Sequence, residues 1–138
     1  MLEMKRSGVE WIDVIPNEWK IVPLKSLFSF GKGLPITKED LTEEGIPVIS
    51  YGQIHAKWNS GVTTHKELFR FVRESYIESN SQSLVKKGDF IIADTSEDRE
   101  GCGNCAYIDT DNPIFAGYHT IILNSLNSSE NKYFAYLF

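Results

Sequence analysis

The stretch Val85-Lys86-Lys87-Gly88-Asp89-Phe90-Ile91-Ile92-Ala93 is the part of this chain that decides its fold. Its first half has the composition of a turn, and the run over 90–93 that follows is apolar at every position. A strand that is apolar on both faces is typical of the middle of a sheet, where both faces are covered. The sequence therefore predicts a sheet built around residues 90–93.

Short apolar runs separated by turn residues surround this strand and predict several more strands. The predicted helices are short: one over 38–43, capped by Thr37, and one over 130–138, capped by Ser128 or Ser129. The predicted fold class is α+β, with a strand-rich, largely antiparallel curved sheet, short helices and one compact domain. The further predicted strands cover 20–22, 46–51, 105–108 and 115–123.

The length of 138 residues is that of about one domain. The chain has no apolar run long enough to span a membrane, and its first residues lack the apolar run of a signal peptide, so we expect a cytoplasmic protein. The last predicted helix reaches Phe138 with no C-cap. We therefore expect residues 1–138 to be a single domain that is a fragment of a longer protein.

Charge is distributed unevenly along the chain. The net charge of −5 argues against a high-affinity nucleic-acid binder that acts alone. Residues 55–87, however, hold six cations and three anions, whereas 89–112 hold seven acids and one arginine. The basic segment could face phosphates that the acidic segment should avoid. The alternative is that both are solvated loops whose charges have no function.

The basic segment contains the side-chain types that read DNA. Arginine can bind guanine with two hydrogen bonds, asparagine or glutamine can bind adenine in the same way, and lysines suit phosphates. Phe69 or Phe71 is better placed in the core, because the two alternate with polar neighbours as in a strand. The candidate DNA-binding residues are Gln53, His55, Lys57, Trp58, Asn59, His65, Lys66, Arg70, Arg73, Lys86 and Lys87.

A cluster of acids suggests metal chemistry but lacks a complete nuclease motif. The acids Asp94, Glu97, Asp98 and Glu100 could hold Mg²⁺ in a nuclease, but no lysine follows at the spacing of a metal-dependent nuclease motif. A solvated acidic loop is the better interpretation.

The two cysteines and His119 also lack the partners that a zinc site or a catalytic site needs. Cys102 and Cys105 are only two of the four ligands of a structural zinc site, so we expect two free thiols. His119 has no partnered serine or cysteine nucleophile. The sequence thus predicts no catalytic residue, no metal and no cofactor.

Several segments follow a pattern that runs from one end of the chain to the other. The chain opens with Ser7-Gly8-Val9-Glu10-Trp11-Ile12, then Ile15-Pro16-Asn17-Glu18-Trp19 and Val22-Pro23-Leu24. In this order and spacing the segments resemble the target recognition domain of the specificity subunit of type I restriction–modification enzymes. The later matching segments are 46–54, 85–91, 94–98, 116–120 and 133–137.

The resemblance implies a function in DNA binding without catalysis. It implies one recognition domain, the N-terminal portion of such a subunit, without the spacer helices or the second recognition domain. Its expected partners are double-stranded DNA and the methyltransferase and restriction subunits, with no membrane and no small-molecule substrate. It also implies a structural or phosphate-proximal role for His119. The alternatives are a small metal-dependent nuclease using the acids over 94–100, or a truncated protein-interaction module.

Overall fold

A computed structural model describes residues 2–96, 99–101, 103–126 and 132–138 of the chain. The fold is strand-rich α+β, as predicted, and its short helices are joined by several 3₁₀ turns. The strands of the described residues are β1 (Met4–Arg6), β2 (Val14–Pro16), β3 (Phe28–Lys32), β4 (Ile46–Ile49), β5 (Arg70–Val72), β6 (Leu84–Val85), β7 (Phe90–Ala93), β8 (Cys105–Tyr107), β9 (Ile114–Ala116) and β10 (Thr120–Ser125). The helices are α1 (Tyr51–Ile54), α2 (Tyr76–Ser79) and α3 (Lys132–Leu137).

The strands form one hairpin and two four-stranded sheets. The hairpin pairs β1 with β2, one sheet has the order β3-β10-β7-β8, and the other has the order β5-β4-β9-β6. The pairing of β4 with β9 is parallel, whereas the other strand pairs of the described residues are antiparallel. The largely antiparallel arrangement is therefore confirmed, although the strands divide between sheets instead of forming a single curved one.

Strand β7 lies in the interior of its sheet, as its sequence predicts. It pairs with β10 on one side and β8 on the other, and Phe90, Ile91 and Ala93 are buried. Ile91 packs with Ile49 and Ile114 of the second sheet in one apolar cluster. Apolar burial between the two sheets thus holds them together.

The turn before β7 is built around the carboxylate of Asp89, which is fully buried. Its oxygens accept hydrogen bonds from the backbone N–H of Lys86 (2.9 Å), the backbone N–H of Ser125 (2.8 Å) and the side-chain amide of Asn124 (3.1 Å). Gly88 has a φ of +98°, which a glycine adopts without strain. The Gly-Asp pair therefore joins the turn to the end of β10.

The structure differs from the predicted elements at three places near the N-terminal half. Residues 20–22 are exposed and form no strand. The helix expected over 38–43 is a 3₁₀ turn, Lys38–Asp40, in which Asp40 accepts a hydrogen bond from the backbone of Thr37 at 2.8 Å. The strand expected over 46–51 ends at Ile49, because Gln53 accepts from the backbone N–H of Ser50 and starts a helix there.

The predicted strand over 115–123 is two strands, β9 and β10, separated by a turn. The break follows from packing, because Gly117 lies directly against Ser50 with no room for a Cβ atom, and the hydroxyl of Thr120 donates to the carbonyl oxygen of Gly117 at 2.7 Å. The strand expected over 105–108 is confirmed as β8. The last helix is present as α3, and its predicted caps Ser128 and Ser129 lie outside the described residues.

Within the described part of the chain, no helix has the length and apolar character needed to cross a membrane.

Candidate nucleic-acid interface

Polar and aromatic side chains gather at one edge of the molecule, where several strands end. The parallel strands β4 and β9 finish side by side, and the backbone N–H of Gly117 donates to the carbonyl oxygen of Ile49 at 2.7 Å. Strand β7 ends beside them, since the N–H of Asp94 donates to the carbonyl oxygen of His119 at 3.1 Å. We call this surface the strand-end edge; its residues are Tyr51, Arg70, Asp94, Tyr118 and His119.

Two tyrosines and His119 form a contiguous aromatic cluster on the strand-end edge. The ring centroid of Tyr51 lies 5.7 Å from that of Tyr118 and 5.2 Å from that of His119, both in edge-to-face geometry. Burial, and then the neighbouring Tyr51, raise the pKa of Tyr118, whereas the charge of Arg70 lowers it. The charge of Arg70 therefore acts on Tyr118, in agreement with the place of Arg70 opposite Val48 near the end of β4.

His119 is paired with an acid on the same edge. Its Nδ1 lies 3.7 Å from Oδ1 of Asp94, and the two side chains are 58% and 40% exposed. Oδ1 of Asp94 also accepts a hydrogen bond from the hydroxyl of Thr95 at 2.7 Å. The backbone of His119 has a φ of +55°, a region that side chains other than glycine seldom occupy.

His55, a predicted DNA contact, is turned towards the acidic segment. Its Nε2 lies 2.8 Å from the carbonyl oxygen of Thr95, and its Nδ1 lies 3.3 Å from the side-chain amide nitrogen of Asn104. A carbonyl only accepts and an amide NH₂ only donates, so these partners assign the hydrogen to Nε2. Both ring nitrogens of His55 thus join the end of α1 to the two ends of the connection between β7 and β8.

Gln53 and Asn59, two predicted base-reading amides, make local hydrogen bonds. Gln53 caps α1 through the backbone N–H of Ser50 at 3.0 Å. The amide nitrogen of Asn59 donates to the carbonyl oxygens of Ile54 and Cys105, both at 2.9 Å, and its oxygen accepts from the N–H of Gly61 at 3.1 Å. A role in base reading would require Asn59 to give up at least one of the two hydrogen bonds that its amide nitrogen donates.

The cations do not form the single surface that the sequence suggested, and this part of the expectation is wrong. Arg70 pairs with Val48 near the end of β4 and so lies at the strand-end edge, whereas Arg73 follows Val72, which pairs with Ile46 at the start of β4. Antiparallel pairing produces the same reversal for Lys86 and Lys87, which follow Val85, the partner of Ile114 at the start of β9. Arg73, Lys86 and Lys87 therefore lie at the opposite edge from Arg70.

The remaining candidates lie on surface loops. Lys57 and Trp58 are exposed, Trp58 by 55%, in the loop that follows α1. His65 is half-buried and Lys66 is exposed at the start of the 3₁₀ turn before β5. No structural contact assigns DNA to any of these side chains, so their role stays a prediction.

The acidic segment lies beside the strand-end edge. Tyr51, His55, Glu100 and Asn104 line a cleft of about 500 Å³ there. Glu97 and Asp98 lie outside the described residues, and within the described ranges no group of three or more histidine, cysteine or acidic side chains could hold a metal ion. The nuclease alternative therefore has no metal cluster among the described acids.

The predicted free thiols are described in part. Cys105 is buried in β8, and burial raises the pKa of its thiol to about 11. Cys102 lies outside the described residues. Of the thiol pair, Cys105 is a core residue of the sheet, which is an inert environment for a thiol.

Sequence reasoning did not place Tyr51, Tyr118 or Asp94 among the candidates for DNA contact. The sequence feature that could have indicated them is the short polar segment that follows each of the strands β4, β7 and β9. These segments are far apart in the chain, and only the pairing of the strands brings them to one edge. The sequence pointed to His119, and to Asp94 only as a possible metal ligand.

The fold is a small α+β domain, and its strand-end edge brings together one arginine, two tyrosines, one histidine and one aspartate. The sequence model of the family described as the type I restriction modification DNA specificity domain matches residues 16–138. The chain belongs to this family. No curated protein matches the chain.

Two solved structures have a similar fold. One is a chain from a study of complex assembly and conformational transition of the type I R-M system, with 18% identity and a TM-score of 0.58. The other is the HsdS subunit from Thermoanaerobacter tengcongensis, with 19% identity and a TM-score of 0.54. Each comparison covers 97% of this chain and 30% of the other, so the chain spans about 30% of the length of these proteins. At these identities the likeness shows the fold.

Proposed function

We propose that this domain recognises one half of a split DNA target in a type I restriction–modification assembly, acting in the cytoplasm. The family match over residues 16–138 carries the proposal. In this role residues 1–138 act as one recognition domain that performs no chemistry itself. Methylation and cleavage of the DNA would belong to partner methyltransferase and endonuclease subunits, which this domain directs to their site.

The strand-end edge supplies the groups that such recognition needs. Arg70 is exposed, and its Nη1 donates to the carbonyl oxygens of Phe69 at 3.0 Å and Glu67 at 3.4 Å. Its remaining guanidinium donors can bind a guanine edge or a phosphate with two hydrogen bonds. The hydroxyls of Tyr51 and Tyr118 can donate to or accept from DNA. Because these groups lie at the ends of paired strands, the sheet holds them in a fixed arrangement, which favours specific recognition.

The charges around this edge predict modest affinity for the isolated chain. Asp94 lies on the edge, the charge of Glu39 acts on Tyr118, and the net charge of the chain is −5. Arg70 is the cation of the strand-end edge, so this edge can neutralise few phosphates. The dependence of binding on salt should therefore be shallow but measurable. The remaining affinity would come from the partner subunits bound to the same duplex.

Selection from a pool of random-sequence duplexes tests the proposal. The chain should enrich one short sequence motif, and retention of that duplex should fall as the salt concentration rises. Failure to enrich any motif would contradict DNA recognition. Cleavage of plasmid DNA by the chain in the presence of Mg²⁺ would establish the nuclease alternative instead.

Co-expression tests the proposed place in an assembly. A type I methyltransferase subunit should co-purify with the chain, and methylation mapping should find modified adenines within the motif that the chain enriches. Methylation at positions unrelated to that motif would show that the domain does not direct the methyltransferase.

A further inference from the structure

His119 has a backbone conformation that a glycine would adopt more easily. Its φ of +55° lies in the left-handed region, and among the described residues only Asp13 shares a positive φ without being a glycine. The residue lies in the turn between β9 and β10, and the positive φ of this turn position favours glycine. A side chain other than glycine in this region costs backbone energy, which suggests a function for that side chain.

Core packing does not account for the imidazole, because its side chain is 58% exposed. Among the described residues, its side-chain contacts come from the strand-end edge: the ring of Tyr51 at 5.2 Å, the ring of Tyr118 at 6.1 Å and the carboxylate of Asp94 at 3.7 Å. Two rings and a carboxylate therefore hold the imidazole in place while more than half of it faces solvent. A side chain that is fixed and still open to solvent is suited to a ligand.

We infer that His119 contacts a base of the DNA target and determines part of its sequence, and that Asp94 is its positioning residue. This inference rests on the proposed function. Nδ1 of His119 faces the carboxylate of Asp94 at 3.7 Å, so Nε2 is the ring nitrogen left for the base. A ring nitrogen at a base edge can distinguish bases, because each base pair presents its own pattern of donors and acceptors in the major groove.

The test compares glycine and asparagine at this position with a matched control elsewhere. His119→Gly removes the side chain and relieves the backbone, and Asp13→Gly relieves the other positive φ in the exposed N-terminal hairpin. His119→Asn tolerates the left-handed region and restores a side chain that can hydrogen-bond to a base edge. Each variant and the wild-type chain are put through duplex selection, and thermal unfolding is measured alongside.

We expect His119→Gly to unfold at the same temperature as the wild type or higher. Its affinity for the selected duplex should fall about fivefold or more, with preference lost at one base pair of the motif. His119→Asn should recover part of that preference, Asp94→Asn should weaken it, and Asp13→Gly should bind as the wild type does. Together these results separate a base contact from a structural role.

Three results would overturn the inference while leaving the proposed function standing. His119→Gly could enrich the wild-type motif with wild-type affinity, it could unfold at a lower temperature, or it could lose affinity equally for every duplex, as a phosphate contact would. A wild-type chain that enriches no motif would overturn the proposed function itself, and this inference with it.

Discussion

The side-chain amide of Asn59 donates to the carbonyl oxygen of Cys105 at 2.9 Å, across 46 positions of the chain. Cys105 begins β8, which is the outer strand of its sheet, and a neighbouring hydroxyl, that of Thr64, donates to the carbonyl oxygen of Tyr107 at 2.8 Å. Side chains of one loop thus satisfy backbone groups that an outer strand would otherwise leave to water or to another chain.

Asn59→Ala removes this connection and should lower the free energy of unfolding by about 2 kcal/mol, because it leaves partly buried backbone groups without partners. Urea denaturation measures the loss, and Lys57→Ala in the same loop is the control, since Lys57 is exposed. A stable Asn59→Ala chain with weakened DNA binding would instead favour the earlier interpretation of Asn59 as a base-reading residue.

Asp89→Ala should lower the free energy of unfolding by about 3 kcal/mol or more, because three donors lose their acceptor in a fully buried position. Asp111→Ala removes an exposed acid of the same charge and should have little effect. Equal urea midpoints for the two variants would show that Asp89 does not support the turn before β7.

Arg70→Glu and Arg73→Glu test which edge faces DNA, since these residues flank β5 at opposite ends. Arg70→Glu should weaken binding of the selected duplex about tenfold, because it replaces a donor on the strand-end edge with a repelling charge. Arg73→Glu changes the net charge equally and should have a much smaller effect. Fluorescence anisotropy measures both, and similar losses would contradict the assignment of the edge.

The thiol of Cys105 should resist alkylation in the folded domain. Burial raises its pKa to about 11, so at pH 8 only about one thiol in a thousand is ionised, and the ionised form is the reactive one. In a Cys102→Ser chain, iodoacetamide labelling should be slow at pH 8, rise with pH, and become fast once urea unfolds the domain. Rapid labelling of the folded chain at pH 8 would show that Cys105 is accessible.

Strand β7 was predictable, because a strand that is covered on both faces has an apolar residue at each position, as residues 90–93 do. The division of residues 115–123 into two strands was not predictable in this way. It depends on the contact between Gly117 and Ser50, two residues whose separation in the chain carries no local pattern.

The candidate site could likewise be predicted only in part from local sequence patterns. The basic segment was recognisable as a charge pattern, yet Arg70 and Arg73 lie at opposite edges because strand direction, which the charge pattern does not encode, decides where each side chain lies. Gln53 and Asn59 had the right chemistry for DNA, but their local hydrogen bonds became visible only with the backbone groups they contact.

The sequence by itself determined the family, the strand-rich α+β class and the central strand, since local periodicity, turn residues and ordered motifs depend on neighbours in the chain. The tertiary structure alone decided that Tyr51, Arg70, Asp94, Tyr118 and His119 share one edge. The physical reason is that strand pairing joins residues far apart in the chain and is stabilised by apolar burial between the sheets. The positions of the polar side chains at the strand ends are set by that pairing.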